Sequence, residues 1–322
     1  MGEALMEKPP VGEVIIGETP KWQPEVTVLM PVFNGAKHLR EALESILNQT
    51  FTGFEYLIID DGSADGSIDI VKSYNDPRIR LLCNEKNLKL AATLNRGLKE
   101  ARGRYIARMD CDDICLPERL ARQVEFMESN PECGLCGTNA LGMDISGAKT
   151  YSPFWGDTKV PIEWSLLWEN PIAHPTVMIR KRVLQDFGLR YRNIPSEDYD
   201  LWCRMLLRAK IARLPDVLLR YRFHPDSAFN ASKKEHLQQA IESSRELARA
   251  ITGQSVPEFH RELTIYPGAM GEPPGCYERE AVIPWLETLL EKSGQIFGWT
   301  AEDYRYARED CRRLLTRIIH RN

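Results

Sequence analysis

The chain has 322 residues, enough for one large domain or two. With 43% hydrophobic and 27% charged residues it has an ordinary globular composition, and its net charge of −4 gives no electrostatic basis for binding nucleic acid. No apolar run approaches the ~20 residues of a membrane span. Residues 1–24 carry Glu and Pro and lack the apolar core of a signal peptide, so the expectation is a cytoplasmic protein.

In chain order, residues 1–23 are rich in Pro and Gly and read as a loose arm. Residues 26–30 form a short apolar run ended by Pro31, which predicts a buried first strand. Phe33-Asn34-Gly35 is a turn, and Leu39, Leu43, Ile46 and Leu47 then recur at helical spacing. Residues 54–59 predict a second strand, stopped by Asp60-Asp61-Gly62-Ser63; Ile68, Ile70 and Val71 begin a helix. Residues 78–83 predict a third strand. Leu90, Leu94 and Leu98 mark a helix that Gly103 closes, and residues 105–109 a fourth strand. Strands alternating with helices in this way predict an α/β fold with a mainly parallel sheet. No Gly-x-Gly-x-x-Gly follows the first strand and no Gly-x-x-x-x-Gly-Lys-Ser/Thr occurs, which argues against a dinucleotide fingerprint and a P-loop.

The fourth strand ends in Arg108-Met-Asp110-Cys111-Asp112-Asp113. Three carboxylates crowd into four positions at a strand end, where open α/β sheets bind ligands. Like charges this close repel unless a cation or donors neutralise them. Hard cations such as Mg²⁺ favour one or two carboxylates plus substrate phosphates. The pattern therefore fits a metal site for a phosphorylated ligand, or else an acidic surface turn.

Beyond about Ser129 the segments shorten and aromatics accumulate. Cys133 and Cys136 have zinc-like local spacing, but no second pair matches it, and thiols in an apolar stretch pack as small hydrophobes. Trp164 and Trp168 share one helix face and suit a sugar-stacking platform or core packing, with the core favoured. Ser196 precedes Glu197, Asp198 and Asp200, as an N-cap precedes first-turn acids. Residues 218–223 predict a late strand leading into His224.

In this order, Pro31-Val-Phe33-Asn34, Asp60-Asp61-Gly-Ser63, Asp110-Cys111-Asp112-Asp113, Glu197-Asp198 and His224 resemble glycosyltransferase family 2. Ile46-Leu-Asn-Gln-Thr50 and His174-Pro175-Thr176 add to the resemblance, which covers residues 26–224. It implies a GT-A fold at residues 24–230; the arm at 1–23 and a helical extension at 231–322 lie outside the resemblance and are read from the residues themselves. It also implies an inverting, metal-dependent transfer of a sugar from a nucleotide-sugar, with UDP the commonest carrier, to a glycan or lipid-linked acceptor in surface polysaccharide synthesis. Pro31, Phe33, Asn34 and Asp61 are implied on the nucleotide side, with Arg108, Asp110 and Cys111 beside the ribose and metal. Asp112 and His224 are implied as ligands of Mg²⁺ or Mn²⁺. Asp198 is implied as the catalytic base, with Glu197 beside it. A carboxylate within hydrogen-bond reach can take the acceptor proton, and a cation can neutralise the departing diphosphate.

There are departures. Lys89 stands where the family has Gly, and Cys111 occupies a small-residue slot. Rival readings are a sugar-phosphate nucleotidyltransferase, whose Gly-rich loop is missing here, and a non-catalytic nucleotide-sugar or glycan-binding relative, which would be expected to have lost these carboxylates. In the tail, Leu237 to Ile251, Val282 to Leu290 and Tyr304 to Ile319 predict three helices. Residues 301–322, which include the last of these, have six arginines against four acids. This segment suits peripheral contact with an anionic membrane, or packing on the chain's own body or a second subunit; the mixed charge favours packing.

Overall fold

The computed structural model describes residues 12–15, 23–153, 159–224, 232–264 and 277–318. Among these residues ten strands form one mixed sheet: β1 (Gly12–Ile15), β2 (Val26–Val32), β3 (Phe54–Asp60), β4 (Ile79–Cys83), β5 (Tyr105–Arg108), β6 (Ile114–Cys115), β7 (Cys133–Met143), β8 (Thr150–Pro153), β9 (Met178–Arg180) and β10 (Lys210–Arg222). The order is β1-β4-β3-β2-β5-β9-β7-β10-β6, with β8 paired to β7. β4, β3, β2 and β5 are parallel neighbours. β9 runs antiparallel to both β5 and β7, and β7 and β10 are parallel again. The predicted mainly parallel α/β architecture is present, and the four strands read from sequence lie side by side in it.

Strand β1 corrects the reading of residues 1–23 as a loose arm throughout. Gly12–Ile15 pairs antiparallel with residues 80–83 and extends the sheet at its β4 edge. Backbone pairing needs no apolar pattern, and Gly-Glu-Val-Ile offers too short a one to be recognised.

The helices are α1 (Ala36–Leu47), α2 (Ser67–Lys72), α3 (Leu90–Glu100), α4 (Arg119–Ser129), α5 (Ile162–Ser165), α6 (Lys181–Asp186) and α7 (Glu197–Leu206). They continue with α8 (Lys233–Thr252), α9 (His260–Thr264), α10 (Arg279–Phe297) and α11 (Ala301–Ile318). Successive side chains of a strand point to opposite faces. In β2, Val26, Val28, Met30 and Val32 pack on one face with Leu39, Leu43 and Ile46 of α1 and Leu120 of α4. Leu29 points the other way, into a core shared with Leu94 of α3 and Leu201 and Trp202 of α7. That second core continues into Leu247, Leu286, Leu289 and Leu314, so the C-terminal helices cover the same face. Trp164 and Trp168 are fully buried there with rings edge to face at 5.2 Å, which settles their role as packing. Cys133 and Cys136 are buried too, and burial raises both thiols.

The strand order reverses beside β2: the chain builds β3 and β4 on one side, then returns to place β5 on the other. Ligands of open α/β sheets bind outside the carboxyl ends of the strands at such a point. The loops after β2 and β5 meet there, and they hold Phe33-Asn34 and Asp110–Asp113.

Candidate active site

Loops at this edge are tied by side chains the sequence placed in them. Asn34 takes a left-handed conformation at φ 52°. Its N–H donates to Ser63 Oγ at 2.9 Å, and its Oδ1 accepts the Ala64 N–H at 2.9 Å. Asp60 accepts the N–H groups of Gly62 and Ser63, closing the turn after β3. Asp61 is buried and accepts from Asn84 Nδ2, Leu88 N–H and Lys89 N–H at 2.7–3.0 Å. An ionised carboxylate has about four lone-pair sites, so one remains for a ligand. Pro31 is buried, whereas Phe33 is half-exposed at the rim. A Cβ on Gly35 would lie 2.8 Å from Cys111 Sγ, so the loops after β2 and β5 touch where both residues are small.

The acidic loop is shaped by two arginines. Arg108 is buried and ion-paired to Asp110. Arg222, at the end of β10, donates Nε to the Asp112 carbonyl at 2.8 Å, Nη1 to the Ile145 carbonyl at 3.0 Å and Nη2 to Glu41 at 2.6 Å. Its N–H donates to Asp113 Oδ1 at 2.8 Å, which makes the fully buried Asp113 a structural anchor. Strand pairing explains how distant residues meet. β6 follows the acidic loop and pairs antiparallel with β10, Ile114 opposite Arg220. The pairing brings His224 back to the loop, with Nε2 2.8 Å from Asp112 Oδ2.

Asp110, Asp112 and Asp113 can direct one oxygen each within 4.8 Å of one another, which makes them the one such cluster of metal-type side chains among the described residues. Burial, then the Asp110 charge, raises the Asp112 carboxyl. A cation would relieve that repulsion, and carboxylate plus imidazole is a donor set that Mg²⁺ or Mn²⁺ accepts. The residues thus fit a divalent ion, with Asp112 and His224 the partly exposed pair.

A second acidic pair opens α7. Glu197 is pushed up to about 7 by burial and then by the Asp198 charge. Burial also raises Asp198, while the Tyr199 N–H at 2.7 Å and Asn170 Nδ2 at 2.9 Å hold its two oxygens. His174 Nδ1 lies 3.7 Å from Glu197 Oε1, and His174 Nε2 lies 2.9 Å from the Tyr191 hydroxyl. The Arg108 charge acts on Asp112, Glu197 and Asp198 alike, and the Asp110 charge also raises Glu197. The two acidic groups therefore share one electrostatic neighbourhood.

The family model described as glycosyl transferase family 2 matches residues 27–188, half of the chain. The chain belongs to glycosyltransferase family 2. It is 37% identical over 190 residues to a Bacillus subtilis protein named as glycosyltransferase EpsE, covering 56% of this chain and 66%, just under two thirds, of that one. It is 33% identical over 210 residues to the amylovoran biosynthesis glycosyltransferase AmsE of Erwinia amylovora, covering 62% of this chain and 77% of that protein. Its fold is similar to S. aureus TarS 1–349, solved with UDP-GlcNAc, at TM-score 0.60 and 19% identity over 90% of this chain and 92% of that one. The mannosyltransferase PcManGT from Pyrobaculum calidifontis, solved with GDP-Man and Mn²⁺, matches at TM-score 0.58 and 18% identity, covering 97% and 85%. At such identities the likeness concerns the GT-A fold alone.

Several residues of this family 2 site carried no sequence signal. Arg222, Asn170, Tyr191 and His38 belong to none of the motifs. His38, in the first turn of α1, meets the His224 ring edge to face at 5.7 Å, and burial followed by Arg222 lowers it to about 4. Helical phase turns it inward beside Leu39, but phase names no partner. Ser196 corrects its expected role. It occupies the N-cap position of α7 but makes no side-chain cap bond, because its φ of 55° turns the hydroxyl toward His236 on α8.

Proposed function

We propose that the chain transfers a sugar from a nucleotide-sugar to a hydroxyl of a glycan or lipid-linked acceptor, in one displacement with inversion. The reading rests on one observation: the partly exposed Asp112–His224 pair and the half-buried Glu197–Asp198 pair both feel the charge of one buried arginine, Arg108, which is itself paired to Asp110. Asp198 takes the proton of the attacking hydroxyl, and Asn170 keeps its Oδ2 aimed. Glu197, at about 7, holds a proton near neutrality and leaves Asp198 as the anionic member. Asp112 and His224 would hold Mg²⁺ or Mn²⁺, with Asp110 beside them. That ion, when bound, neutralises charge developing on the leaving diphosphate. Pro31, Phe33, Asn34 and the remaining lone pair of Asp61 face the nucleotide, with Cys111 packing the loop beneath.

UDP is the proposed carrier; the TarS complex supports it, and the PcManGT complex keeps GDP in view. The name of AmsE supports a place in surface polysaccharide synthesis. Residues 24–230 are the proposed catalytic unit and 231–322 its extension. No helix among the described residues is long and apolar enough to cross a membrane, so contact with a lipid-linked acceptor is proposed at a membrane surface.

The test is release of nucleoside diphosphate from UDP- and GDP-sugars with Mg²⁺, Mn²⁺ or EDTA, which needs no acceptor. Release that requires the ion is expected, and Asp198→Asn should lower kcat by roughly 10²–10⁴ while calorimetric nucleotide affinity holds. Equal loss of turnover and affinity would make Asp198 a structural cap. Pyrophosphate exchange in place of sugar release would identify a nucleotidyltransferase.

A further inference from the structure

The C-terminal extension reaches the turn just before the acidic pair through His236. His236 lies in the first turn of α8, half-buried, and its Nδ1 accepts the Ser196 N–H at 3.1 Å. The Ser196 hydroxyl is 3.2 Å from the same nitrogen and 3.2 Å from the His236 carbonyl. Ser196 sits at φ 55° and ψ 40°, a left-handed conformation uncommon for residues other than Gly. Such a residue persists when its surroundings hold it. No side chain caps the start of α7, so the hold on this turn comes from α8.

We propose that His236 is a positioning residue for the Glu197–Asp198 pair: by accepting the Ser196 N–H it fixes the turn that aims both carboxylates. A backbone N–H only donates, so Nδ1 must be the nitrogen without a proton. Burial lowers the proton affinity of this imidazole, in keeping with that requirement. A second tie runs parallel to the first. Arg192 Nη1 bridges Asp200 Oδ1 at 2.9 Å and Glu246 Oε2 at 3.1 Å, joining α7 to α8 further along both helices. The extension is thereby part of the active centre, and the catalytic unit needs it for alignment as well as for stability. The inference rests on reading Asp198 as the base.

The test compares His236→Leu, His236→Asn and Asp198→Asn in the full chain. Asn offers an acceptor oxygen near the place of Nδ1, and Leu offers none. The readouts are diphosphate release from UDP-GlcNAc and from GDP-mannose in Mn²⁺, and hydrogen exchange of the peptide covering residues 194–200, which needs no donor. His236→Leu should lower kcat by about 10²-fold, the scale of a 1 Å misplacement, with little change in KM for the donor. It should also speed exchange at residues 194–200, and His236→Asn should restore both. Loss in neither variant, or equal loss in both, overturns the proposal. If His236→Leu does not fold, a folded His236→Asn with slow turnover and fast local exchange overturns it, and one resembling the unsubstituted protein supports it. If Asp198→Asn keeps full turnover, the base assignment fails, and exchange alone then judges the role of His236 at the turn. If Asp198→Asn is inactive and His236→Leu is not impaired, only the positioning role fails.

Discussion

Among the described residues, the three non-glycine residues with positive φ, Asn34, Lys89 and Ser196, all sit in loops of the candidate site. Lys89 is the most strained. Its φ of 72° and ψ of 162° lie in a region that is essentially glycine's own, and its N–H is tied to Asp61 and Asn87. The resemblance read from the sequence implies Gly at this position, so that departure has a backbone cost. Lys89→Gly should raise stability by about 1 kcal/mol, the strain relieved less the extra unfolded-state entropy of Gly. A urea midpoint that fails to rise would mean the loop relaxes around Lys89. Asp112 invites a different substitution. Asp112→Ala should abolish ion-dependent donor turnover and leave the circular dichroism unchanged, and turnover with unaltered ion dependence would remove Asp112 from the metal site. Glu197 carries a pH signature. Its folded value, about 7, lies above the ordinary 4.5, so the folded state binds more protons between those limits and stability falls as pH rises through that window. The loss is about 3 kcal/mol at most. Glu197→Gln should flatten this part of the stability profile in urea titrations at pH 5 and pH 8; an unchanged slope would place the titration on another group.

At the scale of elements, the sequence was legible wherever one strand was short, apolar and buried. β2, β3, β4 and β5 read from their apolar runs within one or two residues at each end, since both faces are covered. β7 did not read as a strand. Cys133–Met143 contains three glycines and one β-branched residue, so propensity and alternation are both weak, and its pairing with β9 and β10 decides its state. β10 was read only over its last part, because bulges within residues 214–219 break its periodicity. β6 has two residues, too few for any pattern, yet it brings His224 to Asp112. The motif residues were visible and their holders were not, because a long-range hydrogen bond leaves no local pattern. Arg222 shows the cost of that blind spot. Its side chain is almost fully buried and joins β10 to α1, the acidic loop and the loop after β7. Arg222→Met would leave the carbonyls of Asp112 and Ile145 without their donors and should destabilise by about 2 kcal/mol or more. It should also weaken calorimetric Mn²⁺ binding by loosening Asp112. Unchanged Mn²⁺ affinity in a folded variant would confine Arg222 to stability.

At the scale of the whole molecule, the extension decides whether the catalytic half is independent. Ala307, Cys311 and Leu314 of α11 are buried in the core that also holds Leu286 and Leu289 of α10 and Trp164 of the catalytic half. Trp164 Nε1 donates to Asp310 Oδ2 at 3.1 Å, and the Trp164 ring meets Trp299 edge to face at 6.2 Å. The polar face is internally balanced in part, since Arg305 pairs with Glu302 and Arg313 with Asp310. Its inner face is therefore taken up by the chain itself, as the mixed charge of the sequence favoured. A helix that docks on anionic lipid presents a free apolar face and a cationic excess. Here six arginines oppose four acids over residues 301–322, an excess of two. Removing residues 301–322 would expose the Leu286 and Leu289 side chains and lose the burial of Leu314, each worth roughly 1.5–3 kcal/mol. The truncated chain should therefore lose several kcal/mol in urea unfolding, and binding to vesicles of anionic lipid should change little when both forms are sedimented with them. Because α11 and Trp164 belong to one core, the loss should also appear as faster hydrogen exchange around residues 162–168. A truncated chain that keeps its full stability and loses vesicle binding would show instead that α11 serves the membrane.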